Sequence, residues 1–163
     1  MLIGAGLYGK DITGRFAHLS DDMAMRANIY ATTERAIADA PLLGTGLGTF
    51  APVFRMYRGE DIETRIVNAH NTYLENALEL GIPAAAMLTL AVLLVVLICL
   101  KGVGARRRNR ILPAIGVAAS VHVGLHALVD FGLETPAVTW AYAFILGLAA
   151  GQSFSSKANR QKC

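Results

Sequence analysis

An uninterrupted apolar run in the middle of the chain constrains the fold more than any other feature. Ile82 to Leu100 is nineteen residues without a charge, and a helix that rises about 1.5 Å per residue needs roughly 20 residues to cross the hydrocarbon of a bilayer. The 163 residues are 54% hydrophobic and only 17% charged, which is more apolar and less charged than an ordinary soluble domain. We therefore expect an integral membrane protein.

Two further segments are candidate membrane spans. Ile111 to Val129 is apolar but contains His122 and His126, and Pro136 to Gly151 is shorter. Because lipid offers backbone groups no partners, each span is expected to be a helix. The predicted fold class is all-α integral membrane, with three transmembrane helices over 82–151, a helical extracytoplasmic loop over 1–81 before them and a basic tail over 152–163 after them.

The distribution of charge predicts the orientation of these spans. The segment Lys101–Arg110 contains five basic residues and no acidic one, and the tail after Gly151 contains Lys157, Arg160 and Lys162 without an acid. Short basic loops favour the cytoplasmic side, so both segments are expected inside. All twelve acidic residues then lie on the other side. The net charge of +3 does not indicate a nucleic-acid binder, because its basic residues do not cluster on one soluble face.

The ends of the chain and its cysteines add two smaller expectations. The first nine residues are too short for the apolar core of a signal peptide, and we expect further chain to precede them in the intact protein. Cys99 and Cys163 have neither a disulfide nor a metal-ligand spacing, so both are expected to be unpaired.

The outer region has the pattern of at least two helices. Ser20 to Asp22 supplies an N-cap and first-turn acids, and apolar residues recur at helical spacing from there to Pro41. A second helix is expected to begin near Asn68 and to end at Gly81. Residues 51–67 show no decisive period.

The start of that second helix carries the first candidate site. His70 and Asn71 lie just before a membrane span, at the level where the headgroup of a lipid-linked substrate would lie. An imidazole can act as a base near neutral pH. The alternative is that both residues only cap and solvate a helix start. The nearby Gly44-x-Gly46-x-Gly48 lacks the lysine and flanking elements of a phosphate loop, and we interpret it as a tight turn.

Arginine dominates the basic residues of the outer region. Arginine binds phosphate through two parallel hydrogen bonds more readily than lysine does, which favours a phosphorylated substrate. The alternative is that these side chains only solubilise the surface or pair with neighbouring acids. The six are Arg15, Arg26, Arg35, Arg55, Arg58 and Arg65.

The second span carries polar residues on one face and small residues on another. His122, His126 and Asp130 recur every fourth residue, which favours a polar network in the protein interior over an incomplete metal site. Small residues allow close contact between membrane helices. Those on the other face are Gly116, Ser120 and Gly124.

Two motifs together resemble the O-antigen ligases and the related Wzy-type polymerases. They are the proline-glycine turn Pro41–Phe50 and the stretch from Ala69 to Ile82, in which His70, Asn71 and Gly81 fit the ligase pattern and Ala84 stands where glycine or threonine is expected. Such proteins are enzymes of the bacterial inner membrane. They move a glycan from an undecaprenyl diphosphate carrier to an acceptor glycolipid or glycan, and they contain further spans before this region.

The resemblance implies roles for individual residues. His70 would orient or deprotonate the acceptor hydroxyl, and Arg26 would stabilise the departing diphosphate. Asn71, Arg65, Arg58 and Arg15 are the further candidates for binding substrate. Diphosphate is already a good leaving group, so we expect no metal and no cofactor. Two alternatives remain at this stage, a non-catalytic remnant or split subunit and a transporter-like relative.

Overall fold

The computed structural model describes residues 4–59, 65–106 and 110–154, with side chains from residue 22 onward. Within these ranges every regular element is helical, as the composition predicts. The helices are α1 (Gly4–Asp39), α2 (Phe50–Tyr57), α3 (Thr72–Leu80), α4 (Ile82–Ala105), α5 (Ile111–His126) and α6 (Pro136–Ser153), with a short 3₁₀ turn at Gly132–Glu134 before α6.

The first helix differs from the sequence prediction. Residues 20–22 lie inside α1 and do not begin a helix. From residue 15 to residue 39 the chain contains neither glycine nor proline, so nothing in the backbone forces a break there, and good helix formers such as Met23 and Ala24 carry the helix through the polar residues. The expected end just before Pro41 is confirmed.

The outer region folds around its own apolar core. Helix α1 packs on α2 and α3, and α2 occupies part of the stretch for which no period was found in the sequence. The side chains of this core come from all three helices and from the segment before α3: Ile29, Ala36, Ile37, Phe50, Phe54, Ala69 and Leu78.

The apolar helices form a second unit in which α4, α5 and α6 pack against one another. Their shared core contains Cys99, Leu146 and Ala149. A side chain at Gly116 would overlap with that of Ala149, and the Ser120 hydroxyl bonds to that of Tyr142 at 3.0 Å. These small residues therefore permit close helix contact, as predicted.

Helix α4 is long and apolar enough to cross a membrane, by length and composition. Only 6% of its most apolar 18-residue stretch is buried inside the protein. In the part of the chain described, no other helix passes the same test. Helix α5 is apolar but has 16 residues. The second span was expected to continue to Val129, but the helix ends at His126 and residues 127–129 form a turn.

Candidate active site at the end of α5

His70 lies in a backbone conformation that side chains rarely adopt. Its φ is 53°, in the left-handed region, which costs a residue other than glycine about 1–3 kcal/mol. The surrounding contacts hold it there. The Tyr30 hydroxyl donates to the His70 carbonyl at 2.9 Å, and the next residue, Asn71, begins α3 in an extended conformation. The strained backbone at His70 is therefore held by contacts on both sides of it.

The imidazole of His70 faces a carboxylate from the loop after α5. Nδ1 of His70 lies 3.7 Å from Oδ1 of Asp130, which is an ion-pair distance but too long for a hydrogen bond. Among the described residues this buried nitrogen has no hydrogen-bond partner. The ring meets that of Phe131 edge to face, with centroids 5.1 Å apart. His70 is therefore held between Asp130 and Phe131.

Asp130 contacts a second histidine as well. Its Oδ2 lies 3.1 Å from Nε2 of His126, at the last turn of α5. The pKa of Asp130 is lowered, chiefly by a hydrogen bond from the Phe131 backbone N–H and further by the charges of His126, His70 and Arg26. Asp130 is thus a carboxylate beside two imidazoles, and it can stabilise positive charge on either of them.

Arg26 reaches the same loop from α1. Its guanidinium donates to the carbonyl of Val129, the residue before Asp130. The neighbouring carbonyls are also occupied, since Ala127 accepts from the Thr72 N–H at 2.9 Å and Leu128 from the Tyr30 hydroxyl at 3.4 Å. These three residues lie just after α5, and donors from α1 and α3 occupy their carbonyls. The turn after α5 is therefore fixed by contacts from the outer region.

Asn71 has a structural contact of its own. Its Oδ1 accepts from the backbone N–H groups of Tyr73 and Leu74, at 3.0 and 3.1 Å. Asn71 is therefore the N-cap of α3, in place of the expected Asn68. The capping interpretation of the motif is confirmed for this residue, and contact between Asn71 and substrate stays a prediction.

Asn68 instead contacts two acids, the buried Glu75 and the half-buried Glu134. Its Nδ2 donates to Oε2 of Glu134 at 2.5 Å and lies 3.5 Å from Oε1 of Glu75. The other oxygen of Glu75 accepts from the Ala69 N–H at 2.7 Å, next to His70. Burial, together with a hydrogen bond to Glu134, raises the pKa of Glu75 to about 8. A Glu75 carboxyl that stays protonated near neutral pH can donate to Glu134 and so link α3 to the 3₁₀ turn.

The other candidate residues lie elsewhere in the fold. Arg15 is in the part of α1 whose side chains are not described. Arg58 follows the last turn of α2, where its N–H bonds to the Phe54 carbonyl at 2.9 Å, and Arg65 is exposed in the irregular segment that leads to His70. Among the arginines whose side chains are described, Arg26 is the one whose charge lowers the pKa of Asp130.

The predicted polar face of α5 is formed, but on the outside of the described protein. The ring of His122 stacks on that of His126, with centroids 6.1 Å apart, and both side chains are exposed. No group of three metal-binding side chains occurs among the described residues. The basic residues Arg107, Arg108, Lys157, Arg160 and Lys162, and also Cys163, lie outside the described residues.

Sequence reasoning missed two partners of His70. It assigned Asp130 to the polar face of α5 and gave Tyr30 only a place in the helical period of α1. The spacing could not indicate either contact, because 60 and 40 residues separate the partners from His70. The sequence did contain a weak indication of the acid pair. Glu75 occupies a position of α3 that is buried in the outer region, where an acidic residue is unusual.

Comparisons with known proteins agree with the motifs. The family model of the O-antigen ligases matches residues 2–89, which include α1, α2, α3, His70 and the start of α4. No curated protein and no solved structure matches the chain. The match covers more than half of the sequence, so this chain belongs to the O-antigen ligase family, a family of membrane proteins that process glycans.

Proposed function

We propose that this protein takes part in transferring a glycan from an undecaprenyl diphosphate carrier to an acceptor hydroxyl, as an O-antigen ligase or polymerase. One observation carries the proposal: His70, Asp130 and Arg26 meet at the end of α5, with Asp130 as the shared neighbour. A base, a carboxylate and a fixed cation are the groups that this reaction needs, and family membership supplies lipid-linked glycan and acceptor as the substrate classes.

The proposed step displaces the diphosphate from the sugar. The acceptor oxygen attacks the anomeric carbon, the bond from that carbon to the diphosphate oxygen breaks, and the diphosphate leaves on its carrier. His70 takes the proton of the acceptor hydroxyl, and Asp130 beside Nδ1 stabilises the imidazolium that forms. Arg26 offsets the charge that grows on the diphosphate, with Arg58, Arg65 and Arg15 as further candidates to hold it and Asn71 as a candidate to contact the acceptor.

The proposed setting is the bacterial inner membrane. We propose that α4, α5 and α6 all cross it, with residues 1–81 on the periplasmic side and residues 152–163 in the cytoplasm. Helix α5 is about 24 Å long and α6 about 27 Å, slightly less than the roughly 30 Å of hydrocarbon. Their mutual packing with α4 supports a common membrane unit.

The test is glycan transfer in membranes that contain the protein, with a lipid-linked donor and an acceptor glycolipid. We expect His70→Asn to lower the rate about 100-fold or more, because the base is lost. Asparagine is a better replacement than alanine, because it tolerates the left-handed backbone at this position. The fold should then stay intact, and a loss of rate can be assigned to the loss of the imidazole. His122→Asn, at an exposed histidine that does not contact Asp130, is the matched control.

Two results would count against the proposal. Wild-type rates from His70→Asn would remove the base role. Absence of transfer by the wild-type protein, with the protein present in the membrane, would favour the non-catalytic remnant or split subunit. A transporter-like activity predicts movement of a solute without any change in the glycan donor.

A further inference from the structure

The glycine turn, residues 41–49, exposes three leucines that the proposed chemistry does not use. Leu42, Leu43 and Leu47 are 71%, 88% and 79% exposed. Leu43 is the most exposed large apolar side chain in the described part of the chain. No charged residue occurs between Pro41 and Phe50. An uncharged turn with three apolar side chains pointing outward is unusual for a surface that faces water.

Backbone contacts fix the glycine turn at the start of α4. The Ile82 N–H donates to the Pro41 carbonyl at 2.8 Å, and the N–H groups of Thr45 and Gly46 donate to the last turn of α3 at 2.9 Å. A side chain at Gly44 would lie 2.4 Å from the Gly81 nitrogen. The two backbones therefore touch, and the turn stays at the level of Ile82, where the apolar run of α4 begins.

Several polar groups of the glycine turn have partners within the protein. The N–H groups of Gly48 and Phe50 both donate to the buried carboxylate of Glu79 at 2.9 Å. The hydroxyls of Thr45 and Thr49 bond to each other at 2.7 Å. Backbone groups without partners are what keeps most loops out of an apolar medium. This turn already has partners for several of them, which lowers the cost of entering the lipid boundary.

We propose that the glycine turn lies in the boundary between headgroups and acyl chains, in the leaflet where α4 begins, with Leu42, Leu43 and Leu47 inserted among the lipids. The occupant of this surface is bilayer lipid, because the three leucines continue the apolar surface that starts at the half-exposed Ile82. The proposal goes beyond glycan transfer and rests only on α4 crossing the membrane. Through α3, the turn sets the depth of His70 relative to the lipid surface.

Tryptophan fluorescence in lipid vesicles tests this depth. Trp140 is the only tryptophan, so Trp140→Phe provides a silent background for one reporter at a time. Leu43→Trp reports the turn and Leu90→Trp the lipid-facing side of α4. Glu34→Trp, at an exposed charged position of α1, is the matched water-facing control. The vesicles are phosphatidylcholine with lipids brominated near the headgroup or near the chain end.

We expect Leu43→Trp to emit at shorter wavelength than Glu34→Trp and to lose more than half of its emission to bromine near the headgroup. Leu90→Trp should lose most to bromine near the chain end. Quenching of Leu43→Trp by aqueous acrylamide to the same extent as Glu34→Trp would overturn the proposal. Protection of Leu43→Trp from both acrylamide and the brominated lipids would also overturn the proposal, because it would mean that protein covers the turn. If Leu90→Trp escapes the brominated lipids, the membrane span fails and the proposal fails with it.

Discussion

Asp130 is the residue on which the site depends most. It lies close to both His70 and His126, and the charge of Arg26 contributes to its lowered pKa. We expect Asp130→Asn to lower kcat for glycan transfer about 10-fold or more, since the imidazolium loses its counter-charge. Asp130→Glu should recover part of the rate. A structural role alone would lower the amount of folded protein without changing kcat, and that result would contradict the assignment.

Glu75 makes stability depend on pH. Its pKa rises from 4.5 to about 8 on folding, so between these values the folded protein holds a proton that the unfolded chain has released. The free energy of unfolding must therefore fall as the pH rises from about 5 to about 8. Thermal unfolding in detergent across this range should show a falling midpoint for the wild type.

Glu75→Gln should remove most of that dependence. Its amide can accept from the Ala69 N–H and donate to Glu134, which reproduces the protonated carboxyl. The variant should unfold at nearly the same temperature at pH 6 and pH 8. An unfolding midpoint in the wild type that is level, or that rises with pH, would show that the Glu75–Glu134 pair does not share a proton.

At the scale of elements, the junction between α3 and α4 depends on Gly81. Its φ and ψ are 80° and 156°, a conformation that other residues hardly adopt, and an added Cβ would lie 2.4 Å from the Leu42 carbonyl oxygen. We expect Gly81→Ala to destabilise the protein by at least about 1–3 kcal/mol, measured by thermal unfolding. Gly147→Ala is the control, because nothing lies near its Cβ and alanine favours a helix. Equal midpoints for the two variants would contradict this account.

At the scale of the whole molecule, the prediction concerns sidedness. In a Cys163→Ser background, a membrane-impermeant maleimide should label Ala38→Cys in intact spheroplasts and Gly104→Cys only after lysis, because basic residues favour the cytoplasmic side. Both positions are exposed and the native Cys99 is buried. Labelling of Gly104→Cys before lysis would reverse the proposed orientation.

Several features of this protein follow from local sequence alone. The apolar run of α4, the glycine at its start and the end of α1 before Pro41 were predicted, because each depends on residues close together in the chain. The helix start predicted from the N-cap signal at residues 20–22 was wrong, because α1 continues through these residues. A residue that favours an N-cap does not interrupt a helix when the neighbouring residues favour its continuation.

Sequence by itself determined an all-helical protein with a helix long and apolar enough to cross a membrane and a family motif around His70. Only the tertiary structure decided what His70 faces and where α5 ends. Both become visible only where donors from α1 and α3 occupy the carbonyls of residues 127–129, just after α5. The reason is physical: a hydrogen bond between groups 55 to 103 residues apart leaves no periodicity in the sequence, because its partners become neighbours only after the helices have packed.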